Sequence, residues 1–127
     1  MPGPEGLAAT LGVDLPAYAR SPAVRPMYAY AVAKGEQLEF IPCYCGCAAL
    51  QHRNVRDCYY EGTPPDRVVW RSHAANCNVC LDIVSMVMEL GEAGRPLPEI
   101  RRLVDRAYSS LDGFQSTPTP LPPEQPG

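Results

Sequence analysis

Six cysteines gathered into tight groups constrain this 127-residue chain more than any other feature. Residues 42–47 read Pro-Cys-Tyr-Cys-Gly-Cys, so Cys43, Cys45 and Cys47 stand at every second position. Cys77 and Cys80 form a C-x-x-C pair, and Cys58 lies between the two groups. A disulfide asks for Cα atoms roughly 4.4–6.8 Å apart and a dihedral of about 90° across the sulfurs. Cysteines one residue apart meet those terms only with ring strain. Their thiolates can still converge on one soft ion, which bonds at longer range and in several directions.

The length points to one domain with a modest core. A net charge of −3 argues against nucleic acid as a partner, because phosphate binding needs a basic footprint. No run of about 18 apolar residues occurs, so no transmembrane segment is expected. The opening Met1-Pro-Gly-Pro-Glu-Gly lacks the basic start and apolar run of a signal peptide. The chain is therefore expected to be cytosolic, or a mature form whose leader has been removed. Six cysteines would suit three disulfides in a secreted protein, and metal ligands or redox thiols in a reducing compartment.

Three domain segments are expected. Residues 1–21 read as a flexible lead-in rich in Pro, Gly and Ala. Residues 22–113 form the folded part, and 114–127 a disordered Pro-rich tail. Ser21-Pro22 predicts the start of a helix running to about Ala33, with Val24, Met27, Tyr28, Ala31 and Val32 on one face and Gly35 ending it. A helical turn or two is predicted around 48–56, with Gly46 in a conformation that glycine tolerates best. Gly62-Thr63-Pro64-Pro65 is a loop, and residues 67–70 are briefly extended. Asn76 is the expected cap of a helix over 77–90, broken by Gly91 and Gly94. Pro96 opens another, with Leu97, Ile100, Leu103, Val104, Ala107, Tyr108 and Leu111 at helical spacing and Gly113 as its stop. The fold class read from this pattern is all-α, a small domain of three principal helices with a long irregular cysteine-rich segment.

Thiolates are soft ligands that select Cu(I), zinc or iron–sulfur clusters over magnesium or calcium. Cys77, in the first turn of its helix, faces unpaired N–H groups, a setting that suits a thiolate, and Cys80 points to the same face one turn on. The loop carrying Cys43, Cys45 and Cys47 is expected to fold over this helix start. Both histidines of the chain, His52 and His73, lie among the cysteines and are candidate auxiliary ligands. Asp57 either orients a histidine or shapes a turn. The candidate metal set is thus Cys43, Cys45, Cys47, Cys58, Cys77, Cys80, His52 and His73. More than four thiolates favour ligand-sharing Cu(I), with zinc or an iron–sulfur cluster as alternatives. Met86 and Met88 are read as core, and Tyr44, Tyr59, Tyr60 and Trp70 as packing around the site.

The order Pro42-Cys43-Tyr44-Cys45-Gly46-Cys47, His52, Asp57-Cys58, His73 and Cys77-x-x-Cys80-Leu81-Asp82 resembles the bacterial PCYCGC-motif proteins over residues 22–111. Members of that family are mostly uncharacterised and many are lipoproteins. The resemblance implies an extracytoplasmic protein, tethered to a membrane through a removed lipoprotein leader. It brings no established activity.

The leading expectation is a soft-metal protein that stores, buffers or transfers Cu(I), with a metal donor or acceptor protein as partner. The alternatives are a thiol–disulfide redox protein, which the C-x-x-C pair would suit, and a domain stapled by structural zinc or disulfides. The βαβ pattern of a thioredoxin-like host is absent. No G-x-S-x-G, H-E-x-x-H or phosphate-cradling loop occurs, so a hydrolytic enzyme is not expected.

Overall fold

A computed structural model of the chain describes residues 4–44, 52–109 and 116–123. In order, the elements are α1 (Pro4–Thr10), α2 (Arg25–Ala33), α3 (Gly35–Leu38), a 3-10 turn (Val55–Cys58), β1 (Tyr60–Glu61), β2 (Val69–Trp70), a second 3-10 turn (Ala74–Asn76), α4 (Asn78–Glu92) and α5 (Leu97–Tyr108). The three principal helices expected from the sequence correspond to α2, α4 and α5. None of the helices among the described residues is long and apolar enough to cross a membrane.

The fold is mostly helical but not purely all-α. β1 and β2 pair antiparallel, with Tyr60 opposite Trp70 and Glu61 opposite Val69. The ladder exists because Gly62, at φ +114°, turns the chain where a side chain would strike the Arg67 carbonyl. Aromatic and β-branched residues then meet across the pair. Tyr60 and Trp70 rings lie 5.9 Å apart, and Tyr28 packs 4.8 Å from Tyr59 and 5.8 Å from Trp70. Tyr28 and Tyr59 are fully buried, whereas Trp70 is half-buried and donates its indole N–H to the Asp14 carbonyl at 3.1 Å. Tyr28, rather than Trp70, is the central aromatic anchor.

α2 begins later than Ser21-Pro22 suggests. The Ser21 carbonyl accepts from the Val24 and Arg25 N–H groups in a preceding turn. The helix proper opens at Arg25 with Pro26 in its first turn, where the missing N–H costs nothing. The segment before it is not all loose lead-in. α1 packs on α2, Ala8 and Ala19 are buried, and Glu5 pairs with Arg25 at 3.1 Å.

α4 and α5 supply the other half of the core through Ile83, Val84, Val87, Ile100 and Val104. Met86 and Met88 pack against it from α4. Gly91 stays helical, and Gly94, at φ +84°, is the residue that turns the chain. The expected continuation of α5 to Leu111 and Gly113 falls outside the described residues, as do Gly46 and residues 48–51 of the helical turn expected over 48–56; at the end of that stretch Val55 and Arg56 open a 3-10 turn. Residues 116–123, placed in a loose tail by their composition, lie against the domain. Thr117 is buried, its N–H donates to the Cys43 carbonyl at 2.9 Å, and its hydroxyl accepts from the Cys43 N–H at 3.1 Å. Arg101, buried on α5, donates to the carbonyls of Phe40 at 3.1 Å and Pro120 at 2.9 Å.

Gly35 follows directly on α2 because nothing larger fits. A Cβ there would run into the hydroxyl of buried Tyr60. Gly35→Ala is therefore expected to lower stability by about 1–3 kcal/mol, the usual cost of overpacking a tight core. Urea denaturation checks this, and a midpoint at or above that of the parent chain would show that Tyr60 yields.

Candidate metal centre

Three backbone devices bring distant cysteines together. Cys43 leaves the turn that follows α3. That turn is held by the Ile41 N–H on the Leu38 carbonyl, and the Ile41 carbonyl accepts from Val55 at 2.9 Å. This second bond lays the Val55–Cys58 turn beside Cys43. The turn itself is capped by Asn54, whose Oδ1 accepts from the Asp57 N–H at 3.0 Å. The Asp57 carboxylate accepts from the Arg53 N–H at 2.9 Å, a bond that serves the turn. Both histidine-side and cysteine-side ligands, His52 and Cys58, flank this rigid loop.

Cys77 is the N-cap of α4, one residue earlier in role than expected for a helix starting there. Its Sγ accepts from the Cys80 N–H at 3.4 Å. A cysteine sulfur does here what a serine or aspartate oxygen does at most helix starts. Two tyrosines fix this helix end. The Tyr59 hydroxyl donates to the Cys80 carbonyl at 2.8 Å. The Tyr28 hydroxyl donates to the Arg71 carbonyl at 2.6 Å and accepts from the Ala75 N–H at 3.1 Å, bracketing His73.

The result is three overlapping ligand sets: Cys43, Cys58 and Cys80; His52, Cys58 and His73; and His73, Cys77 and Cys80. Within each set the ligand atoms lie within 4.8 Å of one another. The Cys43 and Cys80 sulfurs lie 3.0 Å apart, well beyond the ~2.05 Å of a disulfide bond. Cys58 Sγ lies 3.4 Å from His52 Nδ1, and the two imidazoles meet edge to face at 5.3 Å. Two sulfurs bound to one ion stand at most about 4.6 Å apart, twice a metal–sulfur bond of ~2.3 Å. The 3.0 Å between Cys43 and Cys80 falls inside that limit and the 4.8 Å bound exceeds it by about 0.2 Å, so small side-chain shifts bring the donors onto a shared ion.

Electrostatics sharpen this picture. The thiols of Cys58 and Cys80 are both pushed up, first by the neighbouring Cys43 thiol and also by burial. Clustered buried sulfurs cannot all carry charge unless a cation joins them. His52 is pushed down, chiefly by burial and then by the Arg71 and His73 charges, which keeps its ring neutral and able to ligate.

Six of the eight sequence candidates, Cys43, Cys58, Cys77, Cys80, His52 and His73, belong to these sets. Cys45 and Cys47 lie outside the described residues. Of the supporting residues, Thr117, which brackets the Cys43 backbone, carried no signal in the sequence. Tyr44 and Tyr59 were legible as aromatics beside cysteines, but their partners were not. Tyr44 stacks on Tyr108 at 5.7 Å and donates its hydroxyl to Asp105, with burial and that carboxylate holding the phenol up at about 12.

The family model described as a protein of unknown function with PCYCGC motif matches residues 9–122. The match begins at the last two residues of α1 and takes in the Thr117 segment at the other end. No curated protein and no solved structure matches the chain.

Proposed function

We propose, for a chain that belongs to the PCYCGC-motif family, a soft-metal protein that takes up Cu(I) and hands it on by ligand exchange. One observation carries this reading. Cys43, Cys58 and Cys80, brought from three separate parts of the chain, are fully buried with sulfurs within 4.8 Å of one another. Buried thiols and imidazoles form a soft donor set, which favours Cu(I) and zinc over hard cations. Cys58, Cys80 and His73 each belong to two sets, and ligand sharing of that kind favours Cu(I) over one isolated tetrahedral zinc. Cys45 and Cys47, two and four residues beyond Cys43, are further proposed ligands.

The thiol–disulfide alternative is less well supported. An attacking cysteine needs a stabilised thiolate, and Cys80 is pushed the opposite way. The proposed exchange makes and breaks only metal–ligand bonds, so the protein is not read as an enzyme. Its family resemblance supports work outside the cytoplasm, on a form tethered through a lipoprotein leader, with a metal donor or acceptor protein as partner.

Reduced protein kept free of oxygen is expected to bind Cu(I) at micromolar concentration, with a sulfur-edge absorption spectrum showing copper–thiolate bonds. Failure to take up copper under those conditions would refute the reading. Copper-free protein that unfolds when a chelator strips zinc would instead establish a structural zinc site.

A further inference from the structure

The pocket has an inside and a rim. Cys43, Cys58 and Cys80 are closed to solvent, each with no exposed surface, and His52 is nearly so. His73 and Cys77 are partly exposed and are the described ligands that an incoming molecule can reach. An ion bound only by the buried sulfurs has no direct contact with a partner. It must arrive through ligands that touch both the outside and the buried set.

Cys80 makes that connection. Its sulfur belongs to the rim set with His73 and Cys77 and to the buried set with Cys43 and Cys58. Its position follows from the helix. Cys77 caps α4 and Cys80 stands one turn on, so both sulfurs face the same side, one outward and one inward. We infer that the centre is a two-position relay, in which Cu(I) is received at His73, Cys77 and Cys80 and passes to Cys43, Cys58 and Cys80 while the Cys80 sulfur stays bound. The inference rests on the soft-metal reading above and adds a direction of travel, an exposed docking end, and a partner that must itself present a thiol.

The transfer involves no oxidation. Cu(I) keeps its charge throughout. Each copper–ligand bond formed replaces one broken, and a thiol that becomes a ligand gives up its proton while a thiolate that releases the ion takes one. Exchange of a partner thiolate for Cys77 thus moves one proton from Cys77 to the partner sulfur, and exchange of a second for Cys80 moves another. Inward passage makes bonds to Cys43 and Cys58 and breaks those to Cys77 and His73; of the two protons released, one passes to the Cys77 sulfur and the other leaves to water at the rim. The retained bond to Cys80 means that copper is never released to water between positions.

Cys77→Ser tests the relay with little structural cost, because serine is among the preferred N-caps and keeps the bond to the Cys80 N–H while losing the soft ligand. His73→Gln is the second variant, with an amide in place of the imidazole. Each is loaded with Cu(I) without oxygen and mixed with excess bathocuproine disulfonate, and loss of copper is followed with time. At least one tightly held ion per chain is expected to remain at equilibrium in each variant. Its exchange is expected to be slower by about tenfold or more, the low end of what removing a supporting metal contact costs. Slowing in either variant with the tight ion retained supports the relay. Wild-type or faster exchange in both variants overturns it, as does loss of the tight ion itself in both. If the unaltered chain takes up no Cu(I), the soft-metal reading fails and the relay with it. Normal uptake with unchanged exchange sinks the relay alone.

Discussion

Cys80→Ser is expected to lower Cu(I) affinity by at least about 100-fold, beyond the upper end of what loss of an outer-shell partner costs. The reason lies in its double membership. Removing Cys77 spoils only the rim set, and removing Cys43 only the buried one. Removing Cys80 spoils both. Serine offers a hard oxygen that holds its proton and ligates Cu(I) poorly. The fold should survive, because α4 keeps its Cys77 cap and the Tyr59 hydroxyl bonds the backbone carbonyl of residue 80, not its side chain. The stability of the metal-free protein should change by about 1 kcal/mol, typical of a single buried substitution. Competition against bathocuproine disulfonate measures the affinity. A loss of under about threefold, smaller than even a supporting contact produces, would remove Cys80 from the centre of the site.

The geometry behind this expectation was only partly legible in the sequence. Pro42-Cys43-Tyr44 and Cys77-x-x-Cys80 identify themselves, since soft ligands at short spacing carry their own chemistry. The docking of one group on the other follows from a helix start that needs covering, and Cys43 does reach Cys80. Which sulfur is shared could not be read. That depends on the rotation of α4, set by the Tyr59 bond to Cys80 and the Tyr28 bracket across residues 71–75. Those are contacts between residues far apart in the chain, and no local pattern encodes them.

The same limit applies to the segment that returns toward the site at residues 116–123. Low hydrophobicity and many prolines make residues 116–123 look unable to join a core, and by themselves they cannot. They are held instead by polar bonds to a partner already in place: Thr117 to Cys43, Thr119 to the Arg53 carbonyl at 2.6 Å, and Pro120 to Arg101. Composition registers apolar area and misses such bonds. The extended stretch expected over 67–70 covers β2, but β1 and the pairing of the two were missed for a related reason. Two residues per strand leave no alternation to detect, and the pairing depends on the turn at Gly62 rather than on strand propensity.

Arg101 is the strongest case of a residue whose sequence position misleads. It stands outside the apolar set at helical spacing on α5, yet it is 8% exposed. Its Nε pairs with Asp105 at 2.9 Å, and one terminal nitrogen donates to Phe40 and Pro120 carbonyls from two other parts of the chain. Asp105 in turn receives the Tyr44 hydroxyl, so one guanidinium holds the turn leading to Cys43, the residue after it and the returning segment. Arg101→Ala leaves those carbonyls and the carboxylate short of a donor. Breaking a fully buried pair from one side costs ~3–5 kcal/mol. Asp105 keeps about a third of its side chain in water, which offsets part of that, so a loss of about 3 kcal/mol is expected. Arg101→Lys should recover only a fraction, because an ammonium on a flexible stem lacks the planar fork that reaches several acceptors at once. Urea denaturation reads both variants. A drop below about 0.5 kcal/mol for the alanine variant, the range of an ordinary surface change, would show that the clamp does not hold the segment down. Because Thr117 brackets the Cys43 backbone from that segment, Arg101→Ala should also weaken Cu(I) binding by roughly tenfold, as loss of a contact that positions a ligand does. A copper affinity that stays unchanged while stability falls would separate the clamp from the metal centre.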